Sequence, residues 1–194
     1  MMNRTAEIEQ LGAVYGQPVS QHQVRDVSEA SFRYFAGKLG KRNGEVVLFI
    51  LRPNGTLLLH TKDFYPSGAF RVPTGTLHEQ EPLLDAVYRE TDEETGLEVA
   101  VTRFLGVVEF EFRWSGQAIL IPCYLFLLTE LRGELRSRDA GERIAGFREV
   151  HPGALLAVAE HLENLTGGWE DWGWFRGLPH RLGFMLLSPP CGRV

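Results

Sequence analysis

Two cysteines in 194 residues are too few for a disulfide framework. Cys123 falls in an apolar stretch and Cys191 in a Pro- and Gly-rich tail, so reduced thiols and a cytoplasmic location are expected. No apolar run is long enough to span a bilayer: the longest, residues 118–128, is interrupted by Pro122. The N-terminus is polar, without the apolar core of a signal peptide. Basic charge is also in deficit. A formal net charge of −5 argues against a broad nucleic-acid surface. There is no G-x-S-x-G elbow, no G-x-x-x-x-G-K phosphate loop, no internal repeat and no low-complexity segment.

What is present is concentrated between Gly75 and Leu97. Gly75, Glu81, Arg89, Glu90, Glu93, Glu94 and Gly96 stand at set spacings. At an average usage of about 7% for each fixed residue, chance gives this pattern at roughly one in 10⁸ per starting position. Pro82 suits a first helical turn, Gly96 suits the position past a helix end, and residues 83–95 contain no Gly or Pro. On such a helix Glu90, Glu93 and Glu94 fall within an arc of roughly 100°, on the side that carries Leu83, Ala86 and Val87. Carboxylates gathered at a helix C-terminus repel each other, meet the negative end of the macrodipole and lose hydration when turned inward. A divalent cation with oxygen ligands would offset all three effects.

These residues resemble the box of the Nudix hydrolases, G-x5-E-x7-R-E-U-x-E-E-x-G-U, at every fixed position, and Leu97 supplies the final aliphatic residue. Two departures are Thr91 at an aliphatic position and Thr74 where many relatives have glycine. The specific motif covers about an eighth of the chain, and a looser likeness runs from Gly44 to the region of Leu155. The resemblance implies that Glu90 and Glu94 are metal ligands and that Glu93 is a further ligand or an orienter of metal-bound water. It implies a backbone-carbonyl ligand at Thr74 and a bracing pair in Arg89 and Glu81. It also implies a catalytic carboxylate outside the box. Glu142 best matches it, with Glu109 and Glu111 as rivals. The implied cofactor is Mg²⁺, with Mn²⁺ as a substitute.

Around the box, Arg71 is read either as a phosphate contact or as an exposed strand-end arginine. Tyr65 is read either as a stacking partner for a base or as packing. Trp169, Trp172, Trp174 and Phe175 are expected to pack a helix onto the core or onto a second subunit rather than to line a base slot. His78, His151, His161 and His180 lack metal-binding spacing with cysteines and are expected at the surface.

The chain divides into an N-terminal extension (1–43), a Nudix domain (44–166) and an aromatic-rich helical extension (167–194). The expected fold is α/β, an α/β/α sandwich with a mixed sheet and helical extensions at both ends. Strands are expected at 46–51 and 56–60, joined as a hairpin, and at 69–72, 99–112, 118–129 and 148–150. Helices are expected at 5–15, 28–35, 83–95 and 152–165, and a last one at 169–187 interrupted near Pro179. The functional expectation is a metal-dependent pyrophosphohydrolase acting on a nucleotide-type small molecule, specifically a nucleoside diphosphate linked to another moiety. Alternatives are a nucleoside triphosphate pyrophosphatase, a non-hydrolytic nucleotide-binding regulator, and an isomerase using Cys123. The extra terminal segments point to a homodimer.

Overall fold

The computed structural model describes residues 3–39 and 42–188; Cys191 lies outside the described residues. In chain order the elements are α1 (Arg4–Tyr15), β1 (Val19–Asp26), α2 (Glu29–Leu39), β2 (Arg42–Leu51), β3 (Leu57–Lys62) and β4 (Thr74–His78). They continue with α3 (Leu83–Thr95), β5 (Leu97–Trp114), β6 (Gln117–Gly133), β7 (Ile144–Val150), α4 (Leu155–Glu163) and α5 (Glu170–Leu187). The strands form one mixed sheet in the order β1-β5-β6-β2-β3-β7, with β4 paired to β2. The β1/β5 and β2/β6 pairs are parallel and the others antiparallel.

Both faces of the sheet are covered, and the sequence alternation assigns each side chain to a face. On β2, Val47 and Phe49 enter one core with Phe35 of α2 and with Phe175 and Leu182 of α5. Val46, Leu48 and Ile50 enter the opposite core with Leu11 of α1 and with Leu83, Ala86 and Val87 of α3. β6 divides in the same way: Cys123 and Leu125 face the first core, Phe126 and Leu128 the second. Burial on both sides explains the apolar run over residues 123–128, whereas Ala118 and Leu120 at its start are exposed. The result is the expected α/β/α sandwich. No helix among the described residues is long and apolar enough to cross a membrane.

The Ser115–Gly116 turn forms as the sequence suggests, both residues having positive φ (48° and 76°) and joining Trp114 to Gln117. That geometry matches the right-handed twist of a two-residue hairpin. The hairpin of β2 and β3 forms across the 53–55 turn, its ladder limited to Leu51 opposite Leu57 before β2 goes on to pair with β6 and β4 and β3 with β7. Two expectations need correction. Residues 69–72 contribute a bridge between Arg71 and His60 rather than a strand. The last helix runs through Pro179 without interruption.

Packing overrides the proline. Gly173 and Gly177 let α5 lie directly on α4: a Cβ at Gly173 would sit 2.0 Å from the Leu162 carbonyl oxygen, and one at Gly177 would sit 3.1 Å from that of Ala159. Phe175 and Leu182 anchor the same helix in the core, and that burial outweighs one missing backbone hydrogen bond. Gly173→Ala should therefore lower unfolding free energy by about 1–3 kcal/mol, read from urea denaturation. An unchanged midpoint would show that α5 is not seated this closely on α4.

Candidate active site

The site is built on α3. Its buried residues include Leu83, Ala86, Val87, Glu90, Thr91 and Glu94, so two carboxylates extend the apolar stripe. Glu94 is 0% exposed and Glu90 is 4%. Glu93 lies off this face, its side chain 37% exposed. The N-terminus of the helix is closed by α1: Leu83 N–H donates to Glu7 Oε1 at 2.6 Å, and Arg4 reaches the Glu81 carbonyl at 3.0 Å. At the other end Gly96 adopts φ 68° and donates its N–H to the Asp92 carbonyl. The Thr91 hydroxyl, at the box's aliphatic position, is satisfied by the Val87 carbonyl at 2.7 Å.

Gly75 on β4 lies against Glu90, where a Cβ would stand 1.9 Å from Glu90 Cγ. Arg89 ties the neighbourhood together. Its Nε and Nη2 clasp both Glu81 oxygens (2.8 and 2.9 Å), and Nη2 also reaches the Thr76 carbonyl at 2.9 Å. Its Nη1 donates to Glu90 at 2.8 Å and to Glu93 at 3.1 Å. Glu81 also accepts the His78 N–H at 2.9 Å.

Beyond Glu94 lies Lys62, whose Nζ stands 3.1 Å from Glu94 Oε1 and donates to Glu142 Oε2 at 2.6 Å. His60 Nδ1 is 3.6 Å from Glu94 Oε2. Neither Glu94 oxygen accepts a hydrogen bond of good geometry from any described residue. Glu142 ends a 3-10 turn, Ala140–Glu142, capped by Asp139. The loop before it is fastened to α3: Arg138 and Asp139 N–H groups donate to the Glu93 carbonyl (2.9 and 3.2 Å), and Arg136 N–H to that of Thr95 (2.9 Å). Carbonyls left over at a helix C-terminus thus position a carboxylate from another segment.

Cations approach from two further segments. Arg71 is 3% exposed, which removes the surface reading. It donates to the Tyr65 hydroxyl (3.0 and 2.6 Å), the Val72 carbonyl (2.9 Å) and Thr74 Oγ1 (2.9 Å). Arg176 of α5 pairs with Glu45 through both oxygens and reaches Thr74 Oγ1 at 3.3 Å. His180, expected at the surface, is buried. Its Nε2 accepts the Val72 N–H at 3.0 Å and its Nδ1–H donates to the Arg176 carbonyl at 2.7 Å. This neutral ring, held down to about pKa 4 by burial, joins the segment entering the box to the helix turn that carries Arg176.

Glu90, Glu142, Lys62, Arg71, Thr74 and Arg176 line one cleft of about 290 Å³, with Tyr65 and Trp172 beside them. Burial pushes Glu90 up to about 7, against the pull of Arg89, and Glu94 up to about 8, against Lys62 and Arg71. Glu142 lies below the ordinary carboxylate range: partial burial would raise it, but the Lys62 hydrogen bond and charge prevail.

Of the residues singled out in the sequence, Tyr65, Arg71, Thr74, Gly75, Glu90 and Glu142 meet at the cleft. Glu94 sits behind Lys62, and Glu93 lies with Arg89. Glu109 and Glu111 pair with His22 at the β1/β5 edge instead. Trp174 and Phe175 pack on Phe110 and Phe112, while Trp172 reaches the cleft. Cys123 is buried between β2 and β5 and its thiol is pushed up by burial, a poor nucleophile. Lys62, His60, Arg176 and Glu45 escaped sequence reading. An available signal was the isolated Arg176 within the apolar stretch 172–179.

Among the described residues no group of three or more His, Cys, Asp or Glu converges closely enough to hold a metal ion as the side chains stand. Arg89 draws Glu93 and Glu90 together from one side, and Lys62 sits between Glu94 and Glu142. The donor set nonetheless fits a hard cation. The carboxylates offer oxygen ligands, Glu94 is fully buried, and the Lys62 ammonium already supplies a positive charge between two of the carboxylates.

The NUDIX domain family model matches residues 41–168. A 61-residue segment is 39% identical to the low-salt glycan biosynthesis protein Agl8 of Haloferax volcanii, covering 31% of this chain and only 39% of that curated relative's length. Solved structures with similarity include an ADP-ribose pyrophosphatase from Streptococcus suis (15% identity, TM-score 0.47, covering 75% of this chain and 92% of that one). They also include a MutT NUDIX hydrolase from Burkholderia pseudomallei (21% identity, TM-score 0.48, covering 75% and 98%).

Two outcomes follow from the geometry. Gly75→Ala should cost about 1–3 kcal/mol of stability, because Glu90 must leave its seat, and should abolish any stabilisation that an added divalent cation gives in thermal melts. Retention of both properties would contradict the close approach. Glu90 and Glu94 have folded-state values above their unfolded ones, so their contribution is fully present below the unfolded value and lost as pH rises through about 7 and 8. The protein without added metal should accordingly melt at a higher temperature at about pH 6 than at about pH 8.5. A melting temperature that rises over this interval without metal would contradict it.

Proposed function

Because this chain belongs to the Nudix hydrolase family, we propose that it is a metal-dependent pyrophosphohydrolase that cleaves a nucleoside diphosphate linked to another moiety. One observation carries the proposal: the carboxylates of Glu90 and Glu142 share a single cleft with Lys62, Arg71 and Arg176. An acidic protein that handles an anionic diphosphate needs such local cations.

Under this proposal Glu90, Glu94 and the Thr74 carbonyl hold Mg²⁺, or Mn²⁺ in its place, with Glu93 as a further ligand or an orienter of water. When bound, such ions neutralise phosphate oxygens and activate water for attack on phosphorus. The chain's own residues supply the rest. Arg71, clamped by Tyr65 and Thr74, cannot swing away, so its charge is preorganised for a phosphate oxygen. Arg176 is fixed by Glu45, while its Nε finds no hydrogen-bond partner among the described residues. Glu142 stays ionised at neutral pH through its bond to Lys62 and takes the proton of the attacking water. Glu81 and Arg89 brace the loop and helix.

Two measurements test this reading. Glu142→Gln should lower kcat by about 10²–10⁴ with little change in KM. Turnover within a few-fold of the parent would remove Glu142 as base. Product analysis over a panel of nucleotide sugars, dinucleoside polyphosphates and triphosphates in ¹⁸O-labelled water should place the label on a monophosphate product. No turnover across the panel with Mg²⁺ or Mn²⁺, together with tight nucleotide binding, would favour a non-hydrolytic regulator.

A further inference from the structure

A second cavity, of about 280 Å³, adjoins the catalytic cleft, and the two share Tyr34 and Trp172. Its character is opposite to that of the cleft. Tyr34 and Phe35 of α2 face Trp169 and Trp172 at the start of α5, and Ser28 and Ser31 line the end nearest the first turn of α2. Aromatic packing continues from one cavity to the other: Trp172 lies 5.2 Å from Trp169 and 4.8 Å from Tyr65, which in turn accepts hydrogen bonds from Arg71. All six of these lining residues lie outside the segment 41–168 matched by the family model. They belong to this chain's flanking segments.

Each cavity alone is at or below the small end of the roughly 300–1,000 Å³ typical of ligand sites; joined, they fall within that range. A guest that fills both must be anionic at one end and flat and apolar at the other. Aromatic walls favour a planar ring over a flexible chain, since stacking is specific to π-faces. Polar edges are available for ring heteroatoms. The Ser31 hydroxyl accepts from Ser28 Oγ at 3.0 Å and keeps its own hydrogen to donate. Ser28 itself is fixed by the Ser31 N–H at 3.1 Å and, through its own N–H, by Asp171 at 3.4 Å.

We propose, on the footing of the pyrophosphohydrolase reading above, that this second cavity is a ring subsite. It takes the heteroaromatic base of a nucleoside diphosphate derivative while Arg71, Arg176 and Lys62 meet the phosphates. Substrate choice is thereby set by the segments on either side of the Nudix domain.

The test is calorimetric binding, in Mg²⁺ buffer, of α,β-methylene ADP and of methylenediphosphonate, which carries the bridged phosphates without the nucleoside. Parent protein should bind the nucleoside analogue at least about tenfold more tightly, with a change in tryptophan fluorescence from Trp169 and Trp172. Ala30→Phe fills the cavity from an exposed position in the first turn of α2. It should erase that preference while leaving methylenediphosphonate affinity within about twofold. Should Ala30→Phe fail to fold, Trp169→Ala removes one wall and should lose the same selectivity. Equal affinity for the two probes in the parent, a preference that survives both variants, or tighter binding of an alkyl diphosphonate would overturn the ring subsite. If neither probe binds the parent, the diphosphate reading of the cleft itself fails.

Discussion

Two buried carboxylates set the terms for this structure. Glu90 and Glu94 continue the apolar stripe of α3 into the interior, where an uncompensated charge would cost several kcal/mol. The surrounding segments answer that constraint. Gly75 removes the Cβ that would stand where Glu90 lies. Arg89 gives Glu90 one hydrogen bond and spends the rest of its guanidinium on Glu81, Glu93 and the Thr76 carbonyl. Lys62 brings an ammonium to Glu94 and shares it with Glu142. Beyond that ammonium, Glu94 has His60 Nδ1 at 3.6 Å from its second oxygen.

The flanking segments are part of this arrangement. Helix α1 caps the first turn of α3 through Glu7, and β1 extends the sheet by pairing in parallel with β5. Helix α5 brings Arg176 to the cleft and, through His180, grips Val72 just before the box. Its seat on α4 depends on Gly173 and Gly177. A glycine pair that seats α5 on α4 therefore governs where a cleft arginine stands, which ties packing near the C-terminus to charge at the site.

Much of this was legible in the residues. Pro82 and Gly96 bracket α3 because their backbone preferences are local, and Pro82 takes the capping position just outside the first turn. The Ser115–Gly116 turn is local for the same reason. The box spacing led to Gly75, Arg89, Glu90 and Glu94 because a helix turns spacing into facing. Glu93 shows the limit of that argument: its position on the helical wheel is near the buried face, yet Arg89 holds it at the surface. Lys62, His60, Arg176 and Glu45 were not legible, since they reach the site through strand pairing and helix docking across long separations in sequence. His180 looked like a surface histidine because its two partners, the Val72 N–H and the Arg176 carbonyl, are backbone groups that a sequence does not advertise. Pro179 marked a break that burial of α5 overrides.

The central proposal is that a divalent cation takes over the place the Lys62 ammonium holds beside Glu94, leaving Lys62 on Glu142. Anomalous diffraction from crystals soaked in Mn²⁺ tests it most directly. An anomalous peak within reach of Glu90 and Glu94 is expected, with the Lys62 ammonium withdrawn from Glu94. Crystals that diffract well, show no peak within reach of either carboxylate and keep Lys62 between Glu94 and Glu142 would contradict it.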